Sequence, residues 1–241
     1  MRTQADSFGN FLMAYHQTQN ASDIIERDDG FIETSIGGKA YFSTYNDWSH
    51  HVQEALSHVS GRVLDVGLGA GRHSLYLQEQ GFAVVGIDAS PLAIEVCRLR
   101  GVTDARLMTI EAVDNTLGHF NTILMLGNNF GLFGGYETGR NILENFHRIT
   151  TPTAQIIAET LNPYTTTDQA HLTYHQWNRE HKRMGGQIRF RHRYRQYCDD
   201  WMDYLFVDLS DLNQLIEGTG WQLKMTFGDT NGQYAICLSK Q

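Results

Sequence analysis

Five residues are best placed to do chemistry: Asp65, Gly67, Gly69, Gly71 and Asp88. They stand in Val63-Leu-Asp65-Val-Gly67-Leu-Gly69-Ala-Gly71 and in Ile87-Asp88. Glycine at every second position after a short β-branched run lets the backbone turn sharply and approach a ligand with no Cβ in the way. A helix beginning at Arg72 would aim its free amides at the same place. Asp88 follows Gly67 by 21 residues and closes a second apolar run, where a carboxylate can accept hydrogen bonds from ribose hydroxyls. The dinucleotide fingerprint G-x-G-x-x-G would need glycine at position 72, which is Arg72. The third glycine is Gly71, one residue early.

The elements that must position these residues follow a rhythm. Short apolar runs at Arg62–Val66, Phe82–Ile87, Arg106–Ile110, Phe120–Leu126 and Ala154–Ala158 alternate with helical segments at Arg72–Gln80, Leu92–Arg100 and Gly139–Arg148. That alternation predicts an α/β fold with a parallel sheet covered on both faces. Two more strands, Trp221–Phe227 and Gln233–Ser239, follow a helix Ser210–Glu217 that Ser210 is expected to cap. Residues 1–60 read as a helical and loop cap rich in aromatics, with Val52, Leu56 and Val59 at helical spacing. Residues 165–183 are polar and His-rich. Gln187–Tyr197 and Trp201–Asp208 read as an inserted hairpin turning near Cys198-Asp-Asp200. The expected organisation is a single domain over 1–241: cap 1–60, core 61–162, inserted hairpin 163–209, and closing helix and strands 210–241.

The form D-x-G-x-G-x-G resembles motif I of class I S-adenosylmethionine-dependent methyltransferases. Val63 to Cys97, including Gly71-Arg-His-Ser-Leu-Tyr-Leu77, is similar to bacterial small-molecule enzymes of that class, the tellurite-resistance type among them. The resemblance covers Gly61 to Thr160 and the closing segment from Ser210. It implies a Rossmann-like sheet of seven strands, five parallel with an antiparallel pair at one edge, and S-adenosyl-L-methionine as cofactor, a ligand with no pyrophosphate to cradle. It further implies that Asp65 and Gly67, Gly69 and Gly71 hold the methionine end and that Asp88 grips the ribose. Ala89 and Ser90, with Ile110 and Glu111, would lie beside the adenine, and Leu126-Gly-Asn128-Asn129 would face the methyl group. Leu68 departs from the pattern, which favours Cys or a small residue there. The N-terminal aromatics Tyr15, Tyr41, Phe42, Tyr45 and Trp48 read as helix packing, and in similar enzymes this segment lids the cofactor.

Composition narrows the acceptor. With 19 basic against 27 acidic residues, net charge −8, the chain on average repels a nucleic-acid backbone. The (Asp/Asn)-Pro-Pro-(Tyr/Phe) motif of nucleic-acid amino-methyltransferases is missing after the fourth strand, and Asn162-Pro163-Tyr164 reads as a turn. The predicted partner is therefore a small molecule carrying an oxygen, nitrogen or sulfur nucleophile. A tRNA or rRNA methyltransferase, or a non-catalytic adenosylmethionine-binding protein, is the alternative. Cys97, Cys198 and Cys237 have no CxxC spacing, no apolar leader or 18-residue apolar run is present, and a reducing cytoplasm is the expected compartment. No metal site is expected, and a homodimer is left open. Seven of the 19 basic residues fall between 179 and 195. Arg189, Arg191, Arg193 and Arg195 alternate along one strand face, either as an outer face paired with Asp199, Asp200 or Asp203, or as an anion site. Candidates to act on the acceptor are Asn128, His175, Arg191 and Arg193.

Overall fold

A computed structural model of the chain describes residues 6–241. Residues 1–5, which carry part of the leader reading, lie outside the described residues. The elements are α1 (Ser7–Thr18), β1 (Ile24–Arg27), β2 (Ile32–Thr34), α2 (Gly38–Tyr41), α3 (His50–Leu56), β3 (Val63–Val66), α4 (Arg72–Glu79), β4 (Val84–Asp88), α5 (Pro91–Arg100), β5 (Ala105–Leu107) and β6 (Phe120–Met125). They continue as α6 (Tyr136–Arg148), β7 (Thr150–Leu161), α7 (Gln169–Glu180), β8 (Gln187–Tyr194), β9 (Tyr197–Cys198), β10 (Met202–Leu205), α8 (Leu209–Ile216), β11 (Trp221–Gly228) and β12 (Gln233–Lys240).

Seven strands form one sheet in the order β11-β12-β7-β6-β3-β4-β5. Strands β3 to β7 are mutually parallel, while β12 runs antiparallel to β7 and β11 antiparallel to β12. This is the expected five-plus-two arrangement. All four residues of β3 are buried, as a strand covered on both faces requires. On one face Ile142, Leu143 and Phe146 of α6 pack against Ile123, Met125 and Ile156. On the other, Val52, Ala55 and Leu56 of α3 join Leu77, Leu124 and Ile157. Strand order reverses on either side of β3, so the connections leave on opposite faces and a crevice opens beyond its carboxyl end.

The N-terminal cap departs from its helical reading. It contributes β1 and β2, joined through Asp28-Asp29-Gly30, with Gly30 at φ +90°. These strands pair with the inserted segment to give a second sheet, β10-β8-β1-β2, with β9 also on β8. The inserted hairpin forms as expected but turns at Arg195-Gln196 and not near Cys198-Asp-Asp200: β9 and then β10 run back along the edge of β8 that faces away from β1. Each N-terminal strand is too short for a visible period, and β1 finds its partner 169 positions away (Ile24 opposite Arg193). The His-rich stretch forms α7, capped by Asp168. Asp208, and not Ser210, caps α8. The third core strand ends at Leu107, and Ile110 lies in a following 3-10 turn. Among the described residues no helix is long and apolar enough to cross a membrane.

Candidate cofactor and acceptor site

The glycine loop leaves β3 at the crevice and enters α4. Gly67, Gly69 and Gly71 hold φ of +77°, +54° and +78°, a region costly for any residue with a Cβ. Three neighbours pin the loop. Gly67 and Leu68 N–H donate to Ile87 O (2.9 and 3.0 Å), Gly69 N–H donates to Asp88 Oδ2 (2.9 Å), and Asn129 Nδ2 donates to Val66 O (2.9 Å) and Gly67 O (2.8 Å). A Cβ at Gly67 would stand 2.6 Å from that Asn129 nitrogen. Leu68 turns inward onto Ile94, Cys97, Val102 and Ala105. Its bulk is admitted by Gly86 of β4, where a Cβ would come within 2.7 Å of Leu68 Cγ and Cδ1.

Both acids are buried. Asp65 accepts from Ser74 Oγ (2.7 Å) in the first turn of α4, and burial pushes its carboxyl up to about 6. Asp88 accepts from Gly69 N–H and Ser90 N–H (2.9 Å each), and burial likewise pushes it up to about 6 against those two hydrogen bonds. Each Asp88 oxygen retains a lone pair for a hydroxyl donor. Ala89 beside it is exposed, Ser90 caps α5, Ile110 is buried and Glu111 exposed. Leu126 is buried, and Gly127, which follows it, is exposed.

The second sheet and α1 roof the crevice. Tyr41 lies over Gly69, its ring carbon 3.3 Å from where a Cβ would be, and meets Phe8 and Phe11 edge-on. Asp6 accepts from Ser90 Oγ (2.8 Å) and Leu92 N–H (2.9 Å), and Asp199 caps α1 through Ser7 and Phe8 N–H. At the end of β6, Asn128 adopts φ +65°. Its carbonyl accepts from Tyr204 Oη (2.6 Å) and its Oδ1 from Gln233 Nε2 (3.2 Å). Glu159 takes Gly127 N–H (2.6 Å), His51 Nε2 (2.8 Å) and Gln233 Nε2 (3.0 Å).

Under the inner face of the second sheet, beyond the end of β7, lies a cavity of about 350 Å³ lined by Ile25, Leu161, His171, His175, Ile188 and Phe190 among others. Phe190 continues edge-to-face onto Tyr204, and so toward Asn128. His175 makes no hydrogen bond within the described residues, meets Tyr164 edge-on, and burial lowers its imidazole to about 4. His171 instead takes a donor from Arg27, which Asp29 also engages. A larger recess, about 590 Å³, at the start of α6 takes no residue from the glycine loop.

Arg191 and Arg193 lie on the opposite face of β8, both bonded to Glu26 of β1 (2.9 and 3.2 Å). Arg191 also lies 4.3 Å from the Trp201 ring centre. The geometry thus pairs the stripe with Glu26, while Asp203 meets Arg183 (3.4 Å). Arg195, at φ +52°, leaves the stripe at the turn. The structure brings Asp65, the three glycines, Asp88 and Asn128 together around one crevice. His175 stands across the adjoining cavity, and the two arginines stand outside. Sequence reading gave no role to Glu159, Gln233 or Tyr204, which reach the site only through tertiary pairing. Arg72 was visible beside the glycines but served there only to exclude the dinucleotide pattern.

Residues 63–153 match the family described as "Methyltransferase domain". The glycine/sarcosine N-methyltransferase of Parasynechococcus marenigrum is 30% identical over 122 residues, 48% of this chain and 41% of that protein. The 2-heptyl-1-hydroxyquinolin-4(1H)-one methyltransferase of Mycobacteroides abscessus is 37% identical over 73 residues, 27% of this chain and 32% of that protein. The matched stretch spans less than half of either of these two relatives. Among solved structures, a SAM-dependent methyltransferase from Bacteroides fragilis in complex with S-adenosyl-L-homocysteine superposes with a TM-score of 0.83 at 27% identity, covering 100% of this chain and 97% of that one.

Proposed function

We propose that this chain, whose residues 63–153 belong to the methyltransferase-domain family and whose fold is that of the class I S-adenosylmethionine-dependent enzymes, methylates a small molecule held beneath its second sheet. The observation that carries the reading is the glycine loop tied to Asp88 at the carboxyl edge of a parallel sheet, with an aromatic roof directly above it. The donor set fits S-adenosylmethionine: a ribose-directed carboxylate, a loop with no Cβ at three of its positions, and the open backbone at Ala89 for the adenine.

The cofactor, when bound, supplies an electrophilic methyl group. This chain's residues then orient and enclose. Asp88 accepts the ribose hydroxyls, and Asp65 and Asn129 fix the ends of the loop. Tyr41 and Phe8 exclude water. Asn128, locked by Tyr204 and Gln233, borders the path from cofactor to cavity. Positioning of this kind is the main demand of an in-line transfer. Where the nucleophile starts protonated, His175 is neutral at pH 7 and can accept the proton. The two relatives described above are named for unlike acceptors, an amino acid and a hydroxyquinolone, so the acceptor here is a small molecule bearing an oxygen, nitrogen or sulfur nucleophile. Pairing of Arg191 and Arg193 with Glu26 takes support from a nucleic-acid acceptor. The chain acts as one domain in the reducing cytoplasm, with Cys97 and Cys237 buried as free thiols.

Calorimetric titration with S-adenosylmethionine, S-adenosylhomocysteine and NAD tests the reading. Micromolar binding of the first two and none of NAD is expected. Binding of neither adenosyl ligand overturns it. Light scattering in the same buffer decides between monomer and homodimer.

A further inference from the structure

The cavity beneath the second sheet, about 350 Å³, has Ile25, Phe31, Leu161, Ile188, Phe190 and Phe206 as its apolar walls. Among the described residues, Arg27 is the one arginine or lysine in its lining, and that cation is already neutralised. Arg27 is buried. Its Nε and Nη2 donate to the two oxygens of Asp29 (2.8 and 2.7 Å), and Nη2 donates also to Ala170 O (3.2 Å). Its guanidinium carbon lies 4.8 Å from the Phe31 ring centre and 4.3 Å from that of Tyr174. Nη1 donates to His171 Nδ1 (3.1 Å). Arginine can only donate, so that ring nitrogen carries no proton and His171 is uncharged. Burial keeps His175 neutral as well. Glu33, opposite Ile25 on β2, brings an exposed carboxylate to the rim. A bound anion would therefore find no free cation here and one carboxylate to repel it.

Moving a carboxylate from water to such walls is costly unless a cation or several donors meet it. Arg27 cannot do so, because the Nε–Nη2 edge that grips a carboxylate through two bonds is taken by Asp29. An uncharged ring system faces the opposite balance, since Phe31, Phe190 and Phe206 offer it aromatic faces and edges. Size points the same way. Pockets for drug-sized ligands run from about 300 to 1,000 Å³, so the cavity admits a fused pair of rings, whereas an amino acid would leave much of it unfilled.

Resting on the reading that the acceptor is held beneath the second sheet, we propose that it is an uncharged ring compound carrying its nucleophile on the ring. Asp29, by occupying Arg27, excludes acceptors that bear a carboxylate, amino acids among them. It sets specificity through Arg27 and takes no part in moving the methyl group.

Calorimetry on protein saturated with S-adenosylhomocysteine, which fills the crevice without consuming an acceptor, tests this. The probes are 4-hydroxyquinoline, the same ring bearing a 2-carboxylate, and sarcosine. The wild type should bind 4-hydroxyquinoline at least about 30-fold more tightly than its 2-carboxylate, as juxtaposed like charges require, and should not bind sarcosine measurably. Asp29→Asn keeps an acceptor for the Phe31 N–H that Asp29 holds (3.2 Å) but frees Arg27. It should bring the ratio to within about threefold of one. Ile188→Trp fills the cavity and should weaken 4-hydroxyquinoline at least about tenfold, with S-adenosylhomocysteine within about twofold of wild type. Should either variant not fold, Asp29→Ser and Ile25→Phe carry the same arms. A wild-type ratio near one, a ratio that Asp29→Asn leaves unchanged, or sarcosine binding as tightly as the ring overturns the proposal. So does 4-hydroxyquinoline binding that Ile188→Trp leaves intact, or a wild type that takes S-adenosylhomocysteine but none of the three probes. A wild type that does not bind S-adenosylhomocysteine overturns the cofactor reading itself, and this proposal with it.

Discussion

Gly86→Ala tests how the glycine loop is accommodated. Gly86 sits in the middle of β4 with no positive φ, so alanine meets no backbone penalty there. Relative to glycine it should even gain about 0.5–1 kcal/mol from reduced chain entropy. Against that stands Leu68, whose Cγ and Cδ1 would lie within 2.7 Å of the new methyl and whose Cδ2 would lie nearer still. Leu68 cannot swing away, because Ile94, Cys97, Val102 and Ala105 enclose it. Overpacking of this kind costs about 1–3 kcal/mol, so the clash prevails and the net loss is about 1–2 kcal/mol. For a chain of this size that is a fall of about 2–8 °C in melting temperature. Because Leu68 is itself a loop residue, the displaced loop should also bind S-adenosylmethionine at least fivefold more weakly. Leu68→Ala alone should cost about 2–4 kcal/mol through the cavity it opens. In Leu68→Ala/Gly86→Ala the new methyl partly fills that cavity, and the double variant should be at least 1 kcal/mol more stable than the sum of the singles predicts. Thermal melts and calorimetry on the four proteins give all the terms. A Gly86→Ala variant within 1 °C of wild type, or strictly additive effects, would refute the reasoning.

Three further outcomes are expected. Asp88 has its carboxyl pushed up to about 6 by burial, above the ordinary value near 4, so ionising it costs the ligand-free fold stability as pH rises from about 4 to 6; Asp88→Asn should therefore gain about 2 kcal/mol on the wild type between pH 4 and pH 7, read from urea melts at the two pH values. Arg191→Gln/Arg193→Gln removes two cations from the outer face of β8 and should leave turnover within about threefold of wild type, whereas a loss beyond a hundredfold would return the stripe to the acceptor site. For an acceptor that starts protonated, kcat/KM should hold as pH falls to about 5 and drop below that as His175, lowered to about 4 by burial, takes up a proton; His175→Asn should lose about a hundredfold in kcat, and a variant with unchanged kcat would remove His175 from the reaction.

The parallel core could be read in advance because its signals are local. Val63-Leu-Asp-Val carries its burial in four consecutive residues, and the loop announces itself through glycines whose φ angles demand them. The same holds for Asp88, placed by strand length alone. What stayed hidden depends on partners far along the chain. Ile24-Ile-Glu-Arg27 is too short to display a period, and only pairing with β8 makes it a strand. Glu26 gives no sign of claiming Arg191 and Arg193, since the ion pair spans 165 positions. Glu159 looks like a solvent-facing charge in an apolar run until Gly127, His51 and Gln233 converge on it. The Leu68 departure illustrates the middle case, where the anomaly shows in the sequence but its compensation at Gly86 needs the register of β3 and β4.

The pairing of β1 with β8 also fixes a timetable. During synthesis β1 is made 169 residues before the residue it faces, and at about 5–20 residues per second the interval is roughly 10–30 s. For that time Ile24, Ile25 and Ile32 have no sheet to join, and the ladder groups of β1 are open to any passing strand. Glu26, Arg27 and Glu33 interrupt the apolar run and keep so short a hairpin soluble while it waits. The second-sheet part of the roof is consequently among the last parts of the molecule to close, after the parallel strands β3 to β7 have been made. A nascent chain stalled before residue 187 would carry the cofactor loop, its Asp88 tether, Asn129 and the Tyr41 and Phe8 rings, but not the β8 part of the roof.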